Sequence, residues 1–366
     1  MDSGTNEDRD TASAPSEPTG QASDYAISEI WYYACPSREL AEGELLPKTI
    51  LGLDLVFGRD ADGVPFCLSD ICPHRGIPLR FGRLVGSEVE CCYHGWRFAA
   101  DGCLKAIPSL TDDQEFDFSR INVTTYPCRE SLGNIWVWIG KGKGRFVPDI
   151  DIPPLPVEGL GPIRLFDRQT FPCPMDQAVM GLMDPAHGPF VHASWWWRPS
   201  ASAYEKVKAF APSELGFTMC RHRPSSNSRA YRLLGGTPET ETVFRLPGVR
   251  VETVQAGSNR VVAVTAVTPV GPMVTEVSQL AYWNVPWMTP FTPLVKRYAQ
   301  RFLAQDREIV TKQQIGLAHN PPMRLIDDAD TPAKWYLRLK WEFTRSRAET
   351  RPFENPVPTT TLRWRT

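Results

Sequence analysis

Between Ile30 and Gly140, apolar residues come in short runs separated by turn residues, the pattern of brief β-strands rather than of helices. Leu55-Val56-Phe57 and Phe66-Cys67-Leu68 flank Asp62-Gly63, and Phe98 and Leu104 lie either side of Asp101-Gly102, two hairpin signals. This predicts a small antiparallel domain that closes with the strongly apolar run Ile135-Trp136-Val137-Trp138-Ile139. Pro148 to Pro162, rich in Pro and Gly, reads as a linker. Beyond it the spacing predicts a helix over Met175 to Asp184, strands around Val261 to Val264 and Val274 to Trp283, and a helix from about Leu294 to Ile315. That order predicts an α+β second domain. No repeat recurs at a fixed period, which argues against a solenoid or propeller.

A chain of 366 residues holds about two domains, placed at 25–150 and 151–366. No run of about 18 apolar residues exists, so no membrane span is expected. Residues 1–24 are acidic and poor in large apolar side chains, unlike a secretory signal or transit peptide; a disordered tail and a cytoplasmic location are expected. Six acidic residues against Arg9 give the tail −5, which leaves the remainder at +3 within a total of −2. That balance excludes a nucleic-acid binder. Nine cysteines, odd in number and irregularly spaced, suit a reducing compartment, where metal binding is the commoner use. Four of the six histidines fall into two short clusters.

The first cluster is Cys72-x-His74, sixteen intervening residues, then Cys91-x-x-His94. Zinc can take two thiolates and two imidazoles as a closed tetrahedral site. A two-iron, two-sulfide cluster instead takes the thiolates on one iron and the imidazoles on the other. With Gly95-Trp96 after the last histidine, the segment resembles the binding motif of Rieske iron-sulfur domains, which implies Cys72, His74, Cys91 and His94 as ligands. That family usually has proline where this chain has Cys92. Spacing to His94 selects Cys91, and Cys92 reads as a structural thiol, as do the other cysteines at 35, 67, 103, 128, 173 and 220.

The second cluster lies in Met183-Asp184-Pro185-Ala186-His187-Gly188-Pro189-Phe190-Val191-His192. Asp184 and His187, three apart, would share a face of one helical turn, and Pro189 would bend the chain so that His192 meets His187. Two histidines and one carboxylate form a site that leaves positions open on a non-haem iron. In the late helix Val295, Tyr298, Phe302, Ile309 and Gln313 recur at three- and four-residue spacing, and Asp306 falls on that stripe, where an unpaired carboxylate is costly to bury. A surface charge, or a pair with Arg307 or Lys312, is the alternative for Asp306, and Glu308 is a rival carboxylate. Asp184 before Pro185 also reads as a helix N-cap. His222 and His319 lack partners at ligand spacing, and a solvated or hydrogen-bonded role is expected; Trp195-Trp196-Trp197 either packs or lines a pocket.

The Asp-x-x-His-x(4)-His segment and Gln305-Asp306 followed by Gln313 resemble the catalytic domain of Rieske non-haem iron oxygenases, across nearly the whole chain. The resemblance implies an all-β [2Fe-2S] domain followed by a helix-grip-like α+β domain with an antiparallel sheet. It also implies mononuclear Fe(II) on His187, His192 and Asp306. Asp184 would bridge to a cluster histidine of a neighbouring subunit, with His94 preferred. Relatives that carry an asparagine one turn earlier meet Met180-Gly181 here. The chain lacks a GxGxxG strand-helix unit, so NAD(P)H electrons are expected through a separate ferredoxin or flavin reductase. Short members imply a homotrimer and hydroxylation or O-/N-dealkylation of a hydrophobic, aromatic substrate over cis-dihydroxylation. A Rieske electron-transfer protein is the alternative class. The chlorophyll-catabolic branch usually adds a C-terminal Cys-x-x-Cys, whereas no cysteine follows Cys220. Arg75, Arg80, Arg83 and Arg97 read as a solvated basic face or as a steering surface for an acidic partner.

Overall fold

The strands that the turn signals mark out pair as antiparallel ladders. A computed structural model describes residues 25–142, 146–192, 204–224 and 234–366. The expected acidic tail and Trp195-Trp196-Trp197 lie outside the described residues. The first part holds β1 (Ile30–Pro36), β2 (Leu46–Ile50), β3 (Leu53–Arg59), β4 (Pro65–Ser69), β5 (Arg83–Val85), β6 (Glu88–Glu90), β7 (Arg97–Ala99), β8 (Leu104–Ala106), β9 (Thr125–Tyr126), β10 (Cys128–Ser131) and β11 (Asn134–Ile139). They form three sheets, β1-β11-β10, β2-β3-β4-β9 and β5-β6-β7-β8. Both expected hairpins are present: Val56 pairs with Leu68 and Phe57 with Cys67, while Phe98 pairs with Leu104.

Every residue of β11 is buried, which explains why its sequence does not alternate. Ile135, Val137 and Ile139 face the core shared with β3 and β4. Trp136 and Trp138 face the other way, edge-on to Tyr33 at 5.4 Å and Trp31 at 5.7 Å, and pack with Val249, Val251, Val262 and Val264 of the second part. Full burial of such side chains stabilises by about 1.5–3 kcal/mol each, so the two parts share one apolar seam. Lys48 Nζ also reaches Glu276 Oε1 at 2.7 Å across that seam, with side chains 9% and 13% exposed.

The second part contains β12 (Leu165–Phe171), α1 (Met175–Met183), α2 (Gly188–Val191), β13 (Glu205–Ser213), β14 (Gly216–His222), β15 (Glu239–Arg245), β16 (Val249–Ala256), β17 (Asn259–Gly271), β18 (Val274–Trp283), α3 (Thr292–Leu317), α4 (Thr331–Ala348) and β19 (Thr360–Arg365). Its eight strands form one antiparallel sheet, β12-β18-β17-β16-β15-β14-β13-β19. Phe210 and Phe217 on one face meet Trp335 of α4, and Phe244 meets Tyr336. Helices α1 and α3 contact the same sheet at β17, β18 and β12. The opposite face receives the first part together with Leu155, Val157 and Leu160. The Pro- and Gly-rich segment is therefore packed against the sheet rather than spanning open solvent.

Helix α3 begins and ends two residues beyond the expected Leu294 and Ile315. Its buried positions are Leu303, Asp306 and Val310, so the stripe is corrected: Ile309 is 46% exposed and Gln313 lies outside the buried face. Asp306 itself is buried. Helix α4, for which the sequence reading supplies no element, buries Ala333, Trp335, Tyr336, Leu339 and Phe343 at helical spacing.

Candidate metal centres

Two loops at the end of the first part have matching backbone designs. Cys72 N donates to Ile77 O and Gly76 N to Cys72 O, both at 2.9 Å; Cys91 N donates to Trp96 O at 2.8 Å and Gly95 N to Cys91 O at 3.0 Å. Each turn needs a left-handed residue, supplied by Gly76 at φ +73° and Gly95 at φ +70°. Cys72 and Cys91 are buried, and the rings of His74 and His94 lie 4.5 Å apart, with Trp96 stacked on His74 at 4.4 Å and 2°. Burial, together with the Cys91 thiol beside it, pushes the Cys72 thiol up to about 11. Two adjacent thiols on one side and two adjacent imidazoles on the other fit the split donor set of a cluster with sulfur on one iron and nitrogen on the other. Cys92 is exposed, which corrects its reading as a structural thiol.

In the second part α1 ends at Asp184, its C-cap residue, so the N-cap reading of Asp184 does not hold. Asp184 and His187 meet through a non-helical bend rather than a helical turn: Asp184 Oδ1 accepts from Ala186 N at 2.7 Å, and His187 Nδ1 lies 2.8 Å from Asp184 O. Pro189 sits within the first two positions of the short α2, where its missing N–H costs nothing. The expected bend at Pro189 is corrected: Val191 N donates to His187 O and His192 N to Gly188 O, so the turn of α2 itself brings His187 Nε2 and His192 Nε2 within 3.1 Å. Asp306 Oδ1 from α3 completes a triangle, 3.1 Å from His192 Nε2 and 3.5 Å from His187 Nε2. Ligand bonds of about 2.0–2.2 Å set at right angles span about 3 Å, so one ion fits against all three atoms with positions left over. Glu308, the rival carboxylate, is exposed and bonded to Lys312 at 2.6 Å.

Behind the triangle, Phe302 stacks on His192 at 3.5 Å and Gln305 Oε1 lies 3.0 Å from its Nδ1. Sequence reasoning placed Phe302 on the stripe but assigned no role to Gln305; their i−4 and i−1 offsets from Asp306 were the available signal. Burial works to raise the Asp184 carboxyl, but hydrogen bonding to His187 and the Ala186 amide outweighs it and holds the group below its usual range. Burial likewise works to lower His187, and Asp184 and Asp306 outweigh it. A cavity of about 290 Å³ is lined by Asp184, His187 and Asp306. Gly181 also lines it and faces Val310 of α3, where an added Cβ would sit at 3.6 Å, in ordinary van der Waals contact. His222 is hydrogen-bonded, its Nδ1 2.9 Å from Cys220 O and its Nε2 3.0 Å from Thr240 Oγ1.

Residues 30–127 match the family model described as the Rieske [2Fe-2S] domain. The chain superposes on the crystal structure of dicamba monooxygenase bound to dicamba with a TM-score of 0.71, at 21% identity, covering 88% of this chain and 98% of that one. This chain has the Rieske non-haem iron oxygenase fold. It is similar to chlorophyllide a oxygenase, chloroplastic, of Chlamydomonas reinhardtii, 36% identical over 172 residues, which are 46% of this chain and 25% of that protein. It is similar also to the 3-chlorobenzoate-3,4-dioxygenase oxygenase subunit of Comamonas testosteroni, 33% identical over 168 residues, 45% of this chain and 38% of that protein. The chain thus spans less than half the length of these curated relatives. The cofactor of the Rieske domain is a [2Fe-2S] cluster, and His187, His192 and Asp306 make up a group able to hold one mononuclear iron.

Proposed function

We propose that this chain is the terminal oxygenase of a multicomponent Rieske system. Electrons from NADH or NADPH would reach it through a separate ferredoxin or flavin reductase, and dioxygen would hydroxylate or oxidatively O-/N-dealkylate a hydrophobic, aromatic substrate. The observation that carries the reading is the His187, His192 and Asp306 triangle in the same chain as a Rieske domain. An electron carrier has no use for the triangle. When bound, the cluster supplies single electrons and the iron activates dioxygen.

In this reading Cys72, His74, Cys91 and His94 hold the cluster in a domain at 25–150, and His187, His192 and Asp306 hold the iron in a domain at 151–366. The Asp184 carboxylate, one-third exposed and facing the shared cavity, is free to accept from His94 of the partner subunit in a homotrimer. Phe171, Met180, Leu182, Val191, Ile309 and Met323 line that cavity, which suits an apolar substrate. All nine cysteines are free, in keeping with a cytoplasmic setting. No helix among the described residues is long and apolar enough to cross a membrane.

Likeness to a dioxygenase subunit supports cis-dihydroxylation as a second reading. Anaerobically purified protein should carry about three irons per chain, against about two for a carrier. With a surrogate reductase and ¹⁸O₂, a monooxygenase places one labelled atom in product and a dioxygenase two. Absence of iron-sulfur bands, or iron at the lower figure with no substrate-dependent dioxygen uptake, overturns the oxygenase reading.

A further inference from the structure

Each ring of the histidine pair presents Nε2 to the triangle and therefore needs a proton acceptor at Nδ1. A nitrogen that binds a cation must offer its lone pair, which leaves the ring proton on the other nitrogen. For His187 that acceptor is the backbone carbonyl of Asp184, at 2.8 Å. For His192 it is a side chain, Gln305 Oε1, at 3.0 Å. Phe302, stacked 18° from parallel, fixes the plane of the His192 ring. Stacking does not prevent a half-turn about χ2, which would exchange Nδ1 with one ring carbon and Nε2 with the other. The hydrogen bond to Gln305 does.

We propose that Gln305 is a positioning residue for the mononuclear iron: its amide oxygen accepts the Nδ1–H of His192 and thereby fixes both the tautomer and the rotation that aim Nε2 between His187 and Asp306. Helix α3 makes this economical, since Phe302, Gln305 and Asp306 sit at i, i+3 and i+4 and together hold three sides of one buried imidazole. A carbonyl of an amide is a weaker acceptor than a carboxylate, so a glutamate here would polarise the ring further and strengthen its donation.

The inference rests on the proposed function, because it requires iron at the triangle. The test is equilibrium dialysis of the full chain against Fe(II) without oxygen, metal counted per chain, with the visible bands of the cluster as the control for folding. Gln305→Met, close in volume but with no acceptor, should weaken binding of the mononuclear iron by about 10–100-fold. Gln305→Glu should bind at least as tightly as the parent. Parent-like affinity in Gln305→Met overturns the assignment. So does affinity in Gln305→Glu below that of the parent, and this second variant decides the matter if Gln305→Met loses its cluster bands. A parent protein that takes up no iron beyond its cluster overturns the functional reading and this inference with it.

Discussion

Replacing Asp306 by alanine isolates the second site from the first. The carboxylate stands 3.1 Å and 3.5 Å from the two Nε2 atoms, and nothing nearby can take its place. Asp184 Oδ2 lies 3.7 Å from His187 Nδ1, on the far side of the ring from the triangle, and Glu308 is exposed and held by Lys312. Removing a group behind a ligand already weakens metal binding by about 10–100-fold, so removing a ligand should cost at least ~100-fold, or ~2.7 kcal/mol. With free Fe(II) held at about ten times the parent dissociation constant, occupancy should fall from about 90% to about 10%. Cluster bands should be unchanged, because the donors at 72–94 share no element with α3, and substrate-dependent dioxygen uptake should disappear. Iron analysis, visible spectra and an oxygen electrode read the three quantities. Retained iron with retained turnover in Asp306→Ala would refute the triangle, and lost iron in Glu308→Ala would show that the rotation of α3 has been misread.

Cys91→Ala should abolish the iron-sulfur bands whereas the exposed neighbour Cys92→Ala should leave them intact; visible and EPR spectra decide between adjacent thiols. Asp184→Asn keeps an oxygen for the Ala186 amide, so both metal sites should load while single-turnover reoxidation of the cluster slows; an unchanged rate would reject the bridging role. Chelating the mononuclear iron should lower the melting temperature of the parent but not of Asp306→Ala, since at about 100 times its dissociation constant the metal adds ~2.7 kcal/mol of stability; equal shifts in calorimetry would place the chelated metal elsewhere. His222 is held below its ordinary range chiefly by burial, so the unfolded chain takes up the proton more readily. Its contribution is therefore fully present above about pH 6.5 and is lost as pH falls from there toward the lowered folded value. Melting curves from pH 8 to pH 5 should show a shallower acid decline in His222→Gln.

How far the sequence could be read depended on the distance over which each feature is built. The hairpins and both halves of the cluster loops are local: Cys72 with His74 and Cys91 with His94 are spaced by one turn apiece, and the turns announce themselves in glycine. The bend at Pro189 was not borne out: Pro189 opens the single turn of α2, and the irregular bend falls earlier, between Asp184 and His187. Three other features were not legible. The register of α3 was read slightly askew, because Ile309 and Gln313 keep the spacing of the stripe but lie exposed along the cavity rather than in the packed face, and spacing alone cannot tell a buried face from its edge. The packing of the Pro- and Gly-rich segment on the sheet depends on β-strands a hundred residues downstream. The partner of His192 Nδ1 is 113 residues away, a contact made by the approach of α2 and α3 rather than by any local pattern.

The two centres consequently differ in what their assembly does for the fold. The cluster loops are closed by their own backbone hydrogen bonds and glycine turns, so their geometry belongs to short segments of one small domain. The triangle instead joins the bend after α1 to the middle of α3. His192 is the joint: its chain neighbours lie with α2, while its ring is held by Phe302, Gln305 and Asp306 of α3. Gly181 faces Val310 where the two helices meet, and Leu303 and Val310 bury the turns of α3 on either side of Asp306. An ion that draws His187, His192 and Asp306 together stabilises that helix contact, because metal binding and local folding share one free energy. Part of the wall of the cavity lined by His187 and Asp306 comes from these same elements, so the arrangement that would hold iron also shapes the space beside it. A substitution that loosens α1 from α3, such as a bulky residue at Gly181, therefore acts on both at once, and the cluster domain should not register it.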